Sequence, residues 1–187
     1  RTLLQNPKES TLGGRPSLIE RVRSYCQIRL KRLPPSCLEM IEGDQQGGAP
    51  WMLMFYLLRC GLYQEARDLL ASPSSACQHS DPTVAGFLRS ALDVFSQSAT
   101  ALPATLVAQI HAEFGQRILA GHQDPFKMTL LKMIGRCELH KRTVAEVIQT
   151  AEDYLWLQTW LVREDSPYTV RVLQESIRAL GPEHFNR

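Results

Sequence analysis

Long apolar runs, paired cysteines, a charge excess of one sign and β-type alternation are all scarce in this 187-residue sequence, and each scarcity excludes something. The longest nearly uncharged stretch, Ala49 to Leu58, falls far short of the roughly 20 residues a membrane-spanning helix needs, so no insertion into a bilayer is expected. No secretory leader precedes the first polar stretch. The cysteines (Cys26, Cys37, Cys60, Cys77 and Cys137) are odd in number and lack paired spacing, and three lie inside apolar helical patterns. That usage fits free thiols packed as small hydrophobes in a reduced compartment, the cytosol or nucleus. Basic and acidic residues number 21 and 19, a net charge of +2, so no global field favours direct binding to nucleic acid or an anionic membrane. A glycine-rich phosphate loop is also missing: Gly13-Gly14 and Gly47-Gly48 have neither the spacing nor the preceding strand. The chain lacks an initiator methionine and ends at Phe185-Asn186-Arg187, so an excised piece of a longer protein is expected.

Period-two alternation never persists, whereas three-four spacing recurs throughout. A first helix is predicted from Pro16 to about Arg32, with Leu18, Ile19, Val22, Tyr25, Cys26, Leu30 and Leu33 on one stripe and Pro34-Pro35 ending it. A short piece, Cys37 to Ile41, leads into the Gly43–Gly48 turn. Pro50 opens a helix through Cys60, Gly61 supplies a left-handed cap, and Leu62 to Leu70 turns back as the second arm of an αα-hairpin. Ser72 to Ser80 reads as a polar loop. Asp81-Pro82 restarts a helix carrying Val84, Phe87, Leu88, Ala91, Leu92 and Phe95. Pro103 opens another, with Leu106, Val107, Ile110, Phe114 and Ile118 inward and Gly121 at its end. Asp124-Pro125 repeats the cap before Phe126 to Cys137. Thr150 with Asp153 approximates a capping box for a helix whose apolar residues, Tyr154 to Leu157 and Trp160 to Val162, leave only Glu152, Gln158, Thr159 and Arg163 outside. A last helix from about Tyr168 packs Val170, Leu173, Ile177 and Leu180 and stops at Gly181-Pro182. The fold class is therefore all-α with no β-sheet: an irregular α-solenoid of antiparallel helical hairpins over residues 16–187, after an extended lead-in at 1–15. No repeat of fixed length is visible.

Chemistry finds little support. Cys77-x-His79 with Cys137-x-x-His140 offers four zinc-type ligands, but the first pair is too tight and the pairs are far apart in sequence. A thiol nucleophile needs an accessible, electropositive niche, which cysteines on apolar stripes do not have. The basic run of the first helix (Arg15, Arg21, Arg23, Arg29, Lys31 and Arg32 against Glu20) reads as a solvated face, since aromatic interleaving for base stacking is absent apart from Tyr25. Trp51, Trp156 and Trp160 read as core. Catalytic, cofactor-binding and metal-ligating residues are all expected to be none, and no partner-binding residue stands out.

Four strings carry a resemblance. Asp124-Pro125-Phe126-Lys127 running to Ile134-Gly135-Arg136-Cys137, then Glu152-Asp153-Tyr154-Leu155-Trp156-Leu157, are the most specific. Trp51 through Arg59-Cys60-Gly61 and Gly14-Arg15-Pro16 support them, with Glu183-His184-Phe185 a weak addition. Together they resemble the nucleoporin-interacting-component family, the inner-ring scaffold nucleoporins of the nuclear pore complex, and the match would cover a middle portion of such a protein. The resemblance implies a long α-solenoid that doubles back on itself, an architecture shared with vesicle-coat proteins. It implies a structural, non-enzymatic role in nucleocytoplasmic transport of protein and mRNA at the nuclear envelope. The implied partners are other nucleoporins: linker nucleoporin segments and neighbouring inner-ring scaffold subunits. Two alternatives remain open here, a vesicle-coat or adaptor α-solenoid and, from another class, a small helical thiol- or zinc-dependent enzyme.

Overall fold

The computed structural model describes residues 16–44, 47–97, 101–137, 147–148 and 150–161, with 171, 174–175 and 177–178 near the carboxyl end. These form nine helices and no strand: α1 (Leu18–Leu30), α2 (Pro35–Leu38), α3 (Pro50–Arg59), α4 (Tyr63–Ala71), α5 (Ala76–Ser80), α6 (Pro82–Ser96), α7 (Ala104–Ala120), α8 (Pro125–Gly135) and α9 (Ala151–Leu161). The lead-in at 1–15, His140, Val162, Arg163, Glu183-His184-Phe185, and Val170, Leu173 and Leu180 of the expected last helix lie outside the described residues.

Local chemistry sets the boundaries. At the start of α1 the Ser17 hydroxyl accepts the Glu20 N–H at 3.3 Å and the Glu20 carboxylate accepts the Ser17 N–H at 2.6 Å, a full capping box. At the end of α3, Gly61 takes φ +75, its N–H reaches Leu58 O at 3.0 Å, and the Leu62 N–H reaches Leu57 O at 2.9 Å. This double bond pattern closes the helix and turns the chain into α4. Asp81 caps α6 through the Val84 N–H, and Asp124 caps α8 through the N–H groups of Phe126 and Lys127 at 2.8 and 3.2 Å.

Two helices occupy the centre. α3 packs on α1, α4, α5 and α8, while α8 packs on α3, α6, α7 and α9. Their sequences fit the position: α3 buries Trp51, Met52, Met54, Phe55, Tyr56, Leu57 and Leu58, and every residue of α8 but Met128 is buried. Phe55 joins them, 5.6 Å from Phe126 between ring centroids and 5.3 Å from Trp156 of α9. The hairpins α3–α4 and α7–α8 thus stack as an irregular helical solenoid.

Five expectations are corrected, one being Ile177 of the expected last helix, which is 45% exposed and not packed. Ser72–Ser80 is not all loop, because Ser75 accepts the Gln78 N–H and starts α5, whose Cys77 is buried. Leu18 is 53% exposed because it sits at the helix entrance; Val22, Cys26 and Leu33 of the expected stripe are buried, and Ser24 and Ile28 are buried as well. Ile118 is 42% exposed because α7 lies at the edge and commits only Ile110 and Phe114 fully to the core. Gln158, placed outside by its polarity, is 1% exposed, whereas Tyr154, Leu155, Trp156 and Trp160 are half-buried. α9 therefore presents Leu157, Gln158 and Leu161 inward and lies on the body by one face.

Candidate functional site

The densest polar constellation is a buried charge cluster that binds five parts of the chain together. Lys127 of α8, 3% exposed, donates from Nζ to Glu42 of the α2–α3 loop and to Asp81 Oδ2 at 3.3 Å. Its ammonium lies 5.8 Å from the centre of the Trp51 ring. The Trp51 indole N–H donates to Glu42 Oε2 at 2.8 Å, and the Ser80 hydroxyl donates to the same carboxylate. Arg117 of α7 reaches Asp81 Oδ2 at 2.7 Å and Glu113 Oε1 at 2.7 Å. Asp124 Oδ2 accepts the Glu42 N–H at 2.9 Å, so the helix cap also holds the loop.

This arrangement pairs both cations with carboxylates. Burial pushes the Glu42 carboxyl up, but hydrogen bonds from Lys127, Ser80 and Trp51 outweigh it and hold the group below the ordinary carboxylate range. Burial pushes Asp124 up to about 6, with the N–H groups of Glu42, Lys127 and Phe126 opposing that rise. The carboxylates spend their oxygens on the chain itself, which suits fixing a helix junction. Sequence reading placed Asp81 and Asp124 as caps and did not see the cluster. Its one local signal was Lys127, which with Lys132 interrupts the largely apolar sequence of α8.

Among the described residues the thiol and zinc candidates form no site. Cys77 and Cys137 are buried, the His79 ring nitrogen Nδ1 lies 2.7 Å from Ser75 O, and His140 is outside the described residues. Among the described residues no group of three or more His, Cys, Asp or Glu stands where it could hold a metal ion. Burial pushes the Cys26 and Cys77 thiols up to about 12 and raises Cys60 as well, opposite to what a nucleophile needs. In the basic run, Arg21, Arg23, Lys31 and Arg32 are exposed, as a solvated face is, whereas Arg29 is half-buried beside Tyr56; Arg15 lies outside the described residues. Trp51 is fully buried.

A cavity of about 260 Å³ opens elsewhere, between α1, the start of α3 and the α4–α5 turn. Leu30, Leu53, Met54 and Leu69 line it, with Arg23, Asp44, Ser72 and Ser74 as polar neighbours.

The strings that stood out in the sequence form contacts with one another. Gly135 leaves room for α7, since a Cβ there would meet Ile110 Cγ2 at 2.5 Å and Cys137 Sγ at 2.8 Å. Arg136 takes φ +54 and donates from Nε to Leu161 O at the end of α9, at 3.0 Å. Arg59, closing α3, lies 5.2 Å from the Trp156 ring centre and 3.5 Å from Asp153 Oδ1, both in α9. Compared with known proteins, all of residues 1–187 match the profile of the family described as Nup93/Nic96.

The chain belongs to the Nup93/Nic96 family.

Its relatives include nucleoporin NIC96 of Chaetomium thermophilum, 31% identical over 96% of this chain and 17% of that protein. The meiotically up-regulated gene 87 protein of Schizosaccharomyces pombe is 33% identical over 98% of this chain and 22% of its own length. The crystal structure of Chaetomium thermophilum Nic96 SOL superposes with a TM-score of 0.79 at 29% identity, over 98% of this chain and 27% of that one. The chain thus spans about a fifth of the length of the curated Nup93/Nic96 relatives it matches. In this chain those strings are joints: caps, a glycine contact and an arginine bracket between helices.

Proposed function

We propose that this chain is a scaffold segment of the nuclear pore complex inner ring, acting at the nuclear envelope. It supports nucleocytoplasmic transport of protein and mRNA by fixing geometry and performs no chemistry of its own. The observation that carries the reading is the family match across the whole chain, together with the likeness to the Nic96 SOL solenoid. The interior supports it too: the polar cluster is spent on joining helices, and burial raises the thiols. The partners are other nucleoporins, namely linker nucleoporin segments and neighbouring scaffold subunits. Fluorescent tagging of the native protein tests the reading. A continuous nuclear rim is the expected outcome, and diffuse cytosolic signal overturns it. Co-purification with vesicle-coat subunits in place of nucleoporins would favour the coat or adaptor alternative.

A further inference from the structure

The turn between α4 and α5 carries Ser72-Pro73 at the edge of the cavity described above. Ser72 closes α4 with φ −66 and ψ 134, an extended conformation that the following proline itself favours. Ser72 is half-exposed, and Pro73 and Ser74 are exposed. The Ser72 hydroxyl pairs with Ser74 Oγ at 2.9 Å and accepts the Ser74 N–H at 3.3 Å, both exposed contacts within the turn. An accessible serine in extended backbone with proline next is the shape a proline-directed kinase requires of its substrate.

Charge decides where a phosphate at this position would go. It would carry about −1.5 to −2 at neutral pH and three strong acceptor oxygens. At the carboxyl end of α4 it meets the negative pole of the helix, and Asp68 stands in the last turn. Among the described residues lining the cavity, Arg23 of α1 is the one cation and Asp44 the one carboxylate. Asp44 is turned into its own loop, where Oδ1 accepts the Gly48 N–H at 2.7 Å. Arg23 is exposed and lines the same cavity from α1.

We propose that Ser72 is a phosphorylation site for a proline-directed kinase, and that Arg23 receives the phosphate across the groove, tying α1 to the α4–α5 turn. In the transfer, Ser72 Oγ bonds to the γ-phosphorus of ATP while the bond to the β–γ bridging oxygen breaks. ADP leaves, and the hydroxyl proton passes to the kinase's base. The pairing draws α1 and the α4–α5 turn together across the groove.

The purified protein, incubated with ATP and a kinase that requires only the following proline, tests both halves. Mass spectrometry is expected to place phosphate on Ser72 of the folded protein, and Ser72→Ala to remove it. In a ³¹P NMR titration the phosphate's second ionisation is expected several tenths of a pH unit below that of the same phosphoserine in an unfolded peptide. Arg23→Gln abolishes that shift, and Arg21→Gln, on the same exposed helix, retains it. Phosphate confined to other sites such as Ser166-Pro167, or reaching Ser72 only after unfolding, overturns the proposal. So does an unchanged titration in Arg23→Gln. None of these readings depends on where the protein sits in the cell.

Discussion

A single ammonium inside α8 carries more of the helix junction than any surface ion pair. Lys127 is almost fully buried between Glu42 and Asp81, so removing it strands Glu42 near Trp51, while Asp81 keeps Arg117. Breaking a buried pair on one side costs about 3–5 kcal/mol, whereas exposed pairs are worth at most about 1 kcal/mol. Lys127→Met is therefore expected to lower the free energy of unfolding by about 3–5 kcal/mol, measured by urea denaturation. Arg67→Ala breaks the Arg67–Asp93 pair, whose side chains are more than a third exposed, and is expected to change it by less than about 1 kcal/mol. Asp124 adds a pH dependence. Its folded pKa, near 6, lies above the ordinary 3.8, so the folded state holds that proton more tightly than the unfolded chain does. The resulting stabilisation is complete below pH 3.8 and is lost as pH rises through 6. Asp124→Asn cannot ionise, so its stability relative to the parent should improve by about 2–3 kcal/mol between pH 3.5 and pH 7. Paired urea titrations at the two pH values check this, and a gap that is constant or widens with pH contradicts the burial argument. The pairing of Lys127 with Glu42 and Asp81 was not legible in the sequence, because they lie 85 and 46 residues from it.

Caps and breakers made most of the helix boundaries readable, because they act over three or four residues. Gly61, Asp81 and Asp124 each do in the structure what their local pattern implied. Which face of a helix turns inward was less readable, since that depends on neighbours far along the chain. α8 fits the pattern of a helix surrounded on all sides, but α9, with a similar apolar content, lies on the body by one face and buries Gln158. α5 was missed because a serine-rich stretch of five helical residues has no apolar period to read. The docking of α9 on α3 is carried by aromatic rings: Trp156 meets Phe55, Trp160 and the Arg59 guanidinium. Trp156→Ala removes all three contacts. Full burial would put the loss at about 3–5 kcal/mol, and half-burial lowers the expectation to about 2–4 kcal/mol. Arg21→Ala, on the exposed face of α1, should stay within about 0.5 kcal/mol. Thermal melts that fail to separate the two variants would show that the faces of α1 and α9 are wrongly assigned.

Helical solenoids are often treated as one-dimensional arrays in which each unit touches only its sequence neighbours and unfolding can spread stepwise from an end. This segment departs from that picture. α3 contacts α8 across a long stretch of chain, and the charge cluster crosses the same gap from the α2–α3 loop through α6 and α7 to α8. Trp156 in α9 rests on Phe55 in α3, so even the late helix leans on the early core. Loss of α3 would therefore remove the packing surface of α1, α4, α5 and α8 at once, a coupling expected to make the described helices unfold together. The tryptophans are placed to test it, with Trp51 at the centre in α3 and Trp156 and Trp160 in α9. Guanidinium titrations of a variant with only Trp51 and of one with only Trp160 should each give a fluorescence midpoint matching that variant's own far-ultraviolet circular dichroism midpoint. Coincidence of probes is the mark of a two-state transition. A Trp160 signal lost at clearly lower denaturant than the helical signal would mean that α9 melts on its own, and that the stack behaves as a modular array after all.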